Sequence, residues 1–530
     1  MIKLTVNAAL RYERLLMGIV ILAFFAACVL HLDRLPHIFE DETWILSPGY
    51  KLFTHGQFGS DMFTGFYNMD QHYLQFMPIF PVLQGAFAQL IGLGIFQMRV
   101  LPVFIATLAV ALAGLVARQM GRPGAGLLAM WLLFTWQWMP ELSHRNMQSG
   151  VPLIDSARLA RYDALAALFG LCAFACFIMA RRRNWVRFDL LCGGFIGLAG
   201  LTHIYGFFWL PTLALAGLID TRSRSRTLWR SWLTMLAGAT LVALPWALVL
   251  LANPNDAIAQ ARTQSQRFSL SPLFFIDNAL NEWRRYVYGL GTGAGLLRPG
   301  FYSLVPGLPV LLGYMVWRAV RNRHREARWL TVICLMLPTL FAVLLQPKTY
   351  HYLPTLVVCW VLPVAVGLSH ASRWPKLLKR LAVACVAVVS AFGLYGIWQM
   401  HVRASRIPSP TIYLAELDRA VPKGVRVLSM PNHWLALQDR DFRVIYVPFY
   451  LAAPAIVSQP ISLFEALDRI QPNIILIDAP VRQMLQERQN DGTMALWISD
   501  FKRYMAQHDA RQIGSVDDNA GQPIEIYQLN

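Results

Sequence analysis

Residues 73–93 read YLQFMPIFPVLQGAFAQLIGL. The stretch is apolar enough to be mistaken for a membrane span, and whether it crosses decides on which side every later loop lies. Its polar content argues against crossing: Gln75, Gln84 and Gln89 interrupt it, and Pro78 and Pro81 break its first half. A span needs about 20 predominantly apolar residues. Eleven other stretches meet that pattern more cleanly, at about 15–32, 97–117, 123–140, 162–180, 187–202, 204–219, 231–251, 301–320, 329–346, 352–370 and 380–400.

Charge arbitrates. With 73–93 excluded and the N-terminus cytoplasmic, the cytoplasmic segments hold 22 basic residues against 4 acidic ones. They include Arg181-Arg182-Arg183, the arginines of 222–230 and those of 318–328. The opposite loops hold 12 of each sign, and the tail from His401 holds 13 basic and 14 acidic residues. Counting 73–93 as a span would turn the arginine clusters outward, against the positive-inside rule. The stretch therefore reads as a helix lying at, or dipping into, the outer membrane surface.

The composition agrees. The 530-residue chain is 56% hydrophobic and 15% charged, where a soluble domain carries about 25% charged residues. The net charge of +17 is accounted for by the cytoplasmic loops, so it is topology and not a nucleic-acid footprint. All seven cysteines fall inside apolar runs, which is the placement of small core residues and not of disulfides or a metal cluster. The first apolar run has no small-residue cleavage site and reads as a retained anchor. The tail drops the long apolar runs. Its residues 425–430, 443–447, 473–478 and 524–529 predict strands, and 412–420, 463–470 and 495–508 predict helices. The expected architecture is an all-α polytopic membrane domain of about 11 transmembrane helices over residues 1–400, with a small α/β extracytoplasmic domain over 401–530.

Four short polar motifs share the outer face of that map. Just beyond the first span stands Glu40-Asp41-Glu42, three like charges that suit a solvated loop or a general base beside a phosphate- or metal-positioning carboxylate. Arg161-Tyr162-Asp163 opens a later span, where an Asp is at home on the helix dipole and the Arg can meet an anion. His203 lies in the turn between two close spans, and an ionisable group at that depth is a functional suspect. Lys348, in Lys348-Thr349-Tyr350-His351-Tyr352-Leu353-Pro354, is a point charge flanked by aromatics. It suits interfacial snorkelling or a phosphate contact. The span centres are largely free of charge, which favours an enzyme working at one interface over a transporter with polar groups at mid-membrane.

In their order these motifs resemble the GT-C superfamily of polytopic glycosyltransferases, in the branch of protein O-mannosyltransferases and lipid A aminoarabinose transferases. Asp41-Glu42 resembles the acidic pair of the first outer loop, residues 33–98. Met77-Pro78-Ile79-Phe80-Pro81 resembles the juxtamembrane segment, and Arg99-Val100-Leu101-Pro102 the start of the second span. Arg161-Tyr162-Asp163, Gly200-Leu201-Thr202-His203 and Lys348 with Tyr352-Leu353-Pro354 resemble later motifs. Two positions differ. The family's Glu-Lys-Pro-Pro is replaced nearby by Asp70-Gln71-His72-Tyr73, and His203 stands for a lysine.

The resemblance implies an inverting transfer of one sugar from a polyprenyl-phosphate donor to a lipid, glycan or protein acceptor at the outer face of the plasma membrane. Asp41 would be the base and Glu42 would position a substrate or metal. Arg161, Asp163, His203, Lys348 and Tyr352 would line the donor phosphate. A divalent metal is left open, with Asp70, His72 and His203 as candidate ligands. Arg267, Arg284 and Arg285 of the second outer segment have no assigned role.

Overall fold

A computed structural model describes residues 2–138, 148–220, 225–264, 271–282, 284–287, 325–346, 348–487 and 492–530. The expected span at 301–320 and Arg267 lie outside the described residues. Seven described helices are long and apolar enough to cross a membrane: Tyr12–Val29, Ile95–Met120, Asp163–Arg183, Leu228–Ala252, Arg325–Leu344, Tyr350–Ser369 and Lys376–Ala404. Three expected spans form shorter apolar helices, Ala125–Thr135, Val186–Thr202 and Ile204–Leu218. The chain is a multi-pass membrane protein. Leu233, Leu241, Leu248 and Leu251 of one span stay exposed, as expected of a helix that is apolar on every face and meets lipid.

The chain divides into two compact units. The first comprises residues 1–35, 100–248 and 270–404, and the second 36–99, 249–269 and 405–530. In the first, helix α1 (Ile2–Val29) ends beneath Arg158. The Arg158 guanidinium donates to the carbonyls of Cys28, Leu30, His31 and Leu35 at 2.7–2.9 Å. A helix C-terminus leaves its last carbonyls without intrahelical partners, and a fully buried Arg with five donors satisfies them in one stroke.

In the second unit, helix α2 (Glu40–His55) packs against α3 (Ile79–Ile91). At 13 residues, α3 rises about 20 Å and falls short of the roughly 30 Å hydrocarbon layer. The two helices cross at Gly49 and Gly85. A Cβ on Gly49 would sit 1.8 Å from the Pro81 carbonyl oxygen, so the contact excludes any larger residue. Gln84 is buried and donates to the Met98 carbonyl at 2.7 Å.

The tail forms a five-stranded mixed sheet in the order β2-β1-β3-β5-β4. Strands β1 (Arg426–Ser429), β2 (Asp441–Val444) and β3 (Ile474–Ile477) are parallel, while β5 (Pro523–Gln528) runs antiparallel to both its neighbours, β3 and β4 (Arg511–Asp517). Two strand expectations need correction. The strand expected at 443–447 begins at Asp441 and stops at Val444. Residues Tyr446–Leu451 are helical instead, with Pro448 supplying a φ suited to a first turn. Strand β4 was not expected, because it is an edge strand whose side chains are mostly exposed and so lacks an apolar alternation.

Candidate active site

The acidic row belongs to the second unit and is the first turn of α2, not a loop. A helix N-terminus carries partial positive charge and tolerates carboxylates, which offsets part of the repulsion among the three. Each carboxylate has a different setting. Glu42 is fully buried and meets Arg99 in a fork, Nε to Oε1 at 2.8 Å and Nη2 to Oε2 at 2.7 Å. It also accepts the Phe39 backbone N–H at 2.9 Å, closing a cap over the turn. Arg99 spends its remaining donors on the carbonyls of Pro36 and His37. Glu40 accepts the Tyr446 hydroxyl. Burial, then the Glu40 charge, pushes the Tyr446 phenol far above its usual range, so the proton stays on Tyr446. Asp41 is half-buried between the two anchored neighbours. Thr43 donates to the Pro431 carbonyl at 2.7 Å, a second tie between this turn and the sheet domain.

The weak metal candidates do not gather. His72 turns Nδ1 to Asp256 at 3.1 Å, and the Asp70 carbonyl accepts Lys51 at 2.7 Å. Among the described residues no three His, Cys, Asp or Glu side chains are arranged to hold an ion.

The other predicted residues belong to the first unit, where the fold brings them together. Arg161 Nε meets Asp163 Oδ2 at 3.0 Å, and the Tyr205 hydroxyl donates to Asp163 Oδ1 at 3.1 Å. The His203 ring lies among three tyrosines, with centroids 4.7 Å from Tyr162, 4.2 Å from Tyr205 and 5.4 Å from Tyr352. A few residues away, Lys348 and Arg285 share Glu282. Lys348 Nζ lies 2.8 Å from Oε2 and Arg285 Nε 2.7 Å from Oε1. Arg285 stands 5.7 Å from the Tyr352 ring centroid, which makes one basic and aromatic cluster of the whole. Burial lowers the Lys348 pKa, and the hydrogen bond that Lys348 donates to Glu282 opposes that fall. Arg161 pairs with Asp163, and Arg285 and Lys348 share Glu282, which gathers three cations of the kind that bind anions.

Reading the motifs missed the residues that hold them. Glu282 and Arg285 sit in a segment with no motif of its own. Tyr205 is the neighbour of His203 but carries no charge. Asp155 accepts the Ser149 and Gly150 backbone N–H groups at 2.8 Å, and burial raises its pKa to about 6. The one available signal for Glu282 was its place in Glu282-Trp283-Arg284-Arg285 between spans.

Among solved structures, ArnT from Cupriavidus metallidurans in the apo state matches at 14% identity over 98% of both chains, with a TM-score of 0.60. The same protein bound to undecaprenyl phosphate matches with a TM-score of 0.59 over 97% of this chain and 98% of that one. The Archaeoglobus fulgidus oligosaccharyltransferase in the apo form matches at 13% identity over 93% of this chain and 72% of that chain, with a TM-score of 0.54. The chain has the GT-C fold. No protein-family model and no curated protein sequence matches it. The GT-C fold, with its helical membrane part and small C-terminal sheet domain, accords with the architecture read from the sequence.

Proposed function

We propose that the chain is a membrane glycosyltransferase that moves a sugar from a polyprenyl-phosphate donor to an acceptor hydroxyl. The observation that carries this is the cluster in which Arg161 pairs with Asp163 while Arg285 and Lys348 share Glu282, in a fold whose solved examples include ArnT bound to undecaprenyl phosphate. A phosphate leaving group needs preorganised positive charge, and Arg161, Arg285 and Lys348 supply it. Asp163 and Tyr205 orient Arg161. The aromatic faces of Tyr162, His203 and Tyr352 suit the sugar or the lipid phosphate's surroundings.

Asp41 acts as the general base. The acceptor oxygen attacks the sugar's anomeric carbon as its proton passes to Asp41. The bond from that carbon to the phosphate oxygen breaks, its electron pair leaves with the polyprenyl phosphate, and configuration inverts. Glu42 does not touch the acceptor in this scheme. Pinned by Arg99, it is a positioning residue for Asp41. The distribution of basic loops supports a cytoplasmic N-terminus and a sheet domain outside, at the plasma membrane.

The test is Asp41→Asn in proteoliposomes with a radiolabelled polyprenyl-phosphate sugar. A positioned base is worth about 10²–10⁴-fold; we expect a loss of transfer in that range with donor binding retained. Undiminished transfer by a folded variant would sink the assignment.

A further inference from the structure

The sheet domain holds a cavity of about 450 Å³ that the transfer chemistry does not use. It opens at the carboxyl ends of the three parallel strands. Met430 follows β1, Ile445 and Tyr446 follow β2, and Pro480 and Val481 follow β3. With the order β2-β1-β3, the connections leave β1 and β3 in opposite directions, so the sheet's topological switch point lies between them. That is where open α/β sheets bind ligands. The floor is braced by buried His433, whose Nε2 lies 3.2 Å from Asp478 Oδ2, joining the loop after β1 to the loop after β3.

The lining states the ligand's chemistry. Met430, Met484 and Met494 are unbranched and polarisable, and Phe449 and Trp497 complete an apolar wall. Such walls adapt to flexible apolar chains. A saccharide would bring many hydroxyls to a wall with few polar atoms, leaving them unpaired at a cost. One rim residue reaches the acidic turn of α2, through the hydrogen bond of Tyr446 to Glu40, and Pro431, next in sequence to the rim residue Met430, accepts from Thr43 of that turn.

We propose that this cavity binds a flexible hydrocarbon chain, acyl or isoprenoid, of a lipid that the protein handles. Only the naming of that lipid as acceptor or donor rests on the glycosyltransferase reading. The experiment uses the full chain in nanodiscs with two photoreactive probes, a phospholipid carrying a mid-chain diazirine and an isoprenyl phosphate carrying one. Labelled peptides are mapped by mass spectrometry. Label from either probe on peptides bearing Met430, Met484, Met494 or Trp497 is expected. It should fall about tenfold in Met484→Trp, which fills the cavity, as for a ligand losing a tenfold factor in affinity. If that variant melts early, Met430→Phe replaces it. Absence of label on these peptides while spanning helices are labelled would overturn the proposal, as would displacement of the label by a free oligosaccharide. An acyl label marks a lipid acceptor and an isoprenyl label the donor. Asp41→Asn should label normally. If that variant also transferred sugar normally, the base assignment alone would fall.

Discussion

The two charged regions solve opposite problems. On the first turn of α2, a carboxylate row is held in place by one arginine, and the buried Glu42–Arg99 pair is complete in itself. In the first unit, Arg161 meets Asp163, and Arg285 and Lys348 meet one shared carboxylate, Glu282. A saturated pair builds shape, because removing either partner leaves a buried charge alone. A cluster in which several cations lie together builds affinity, because charge-assisted hydrogen bonds to an arriving phosphate are strong. The difference is one of partnership: inside the acidic motif Glu42 is paired with Arg99, whereas outside any motif Glu282 is shared by Arg285 and Lys348.

The largest effect should come from breaking the saturated pair. Arg99→Ala leaves Glu42 buried without its partner and removes the donors to Pro36 and His37. A cost of about 3–5 kcal/mol is expected, read as a fall in thermal midpoint, with loss of transfer through displacement of Asp41. A variant that melts and transfers normally would erase the contrast.

In the cluster of the first unit, Lys348→Ala should act on affinity more than on fold. A hydrogen bond to a charged group is worth about 1.5–3 kcal/mol, so donor KM should rise roughly ten- to a hundredfold while the melting temperature moves little. An unchanged donor KM would remove Lys348 from the phosphate contacts.

Its pH behaviour sharpens the point. Burial lowers the Lys348 pKa from 10.5, so the folded chain releases this proton at lower pH than the unfolded chain does. Between the two values the unfolded state binds more protons, and stability contributed by this site rises with pH. Donor affinity must move the other way, since the phosphate needs the ammonium. Donor KM should therefore climb in the alkaline range below 10.5, and that limb should vanish in Lys348→Arg, whose guanidinium does not titrate there.

The smallest effect belongs to Tyr446→Phe. It removes the donor to Glu40 at a cost of about 0.5–1.5 kcal/mol. The expectation is a modest fall in stability and a few-fold change in transfer, measured side by side.

Much of the helical membrane architecture was legible because hydrophobic length is a local property. The helix at 79–91 fell short of a span for reasons visible in its glutamines and prolines. Strands β1, β3 and β5 were legible from apolar β-rich runs, while β4 was not, since an exposed edge carries no burial pattern. Arg161, Asp163, His203 and Tyr352 could be named as suspects from motif position alone. Their mutual contacts could not, because they come from three separate segments. Tertiary structure alone gathered 36–99 and 249–269 with the tail into one unit, set Glu282 between Lys348 and Arg285, and gave the sheet its cavity. The reason is physical. Sequence records which groups are apolar, charged or able to start a helix, whereas partnership between charges hundreds of residues apart depends on close packing. In the acidic row, the sequence determined that three carboxylates stand together; the fold decided that Arg99 holds one, Tyr446 holds another, and Asp41 lies between them.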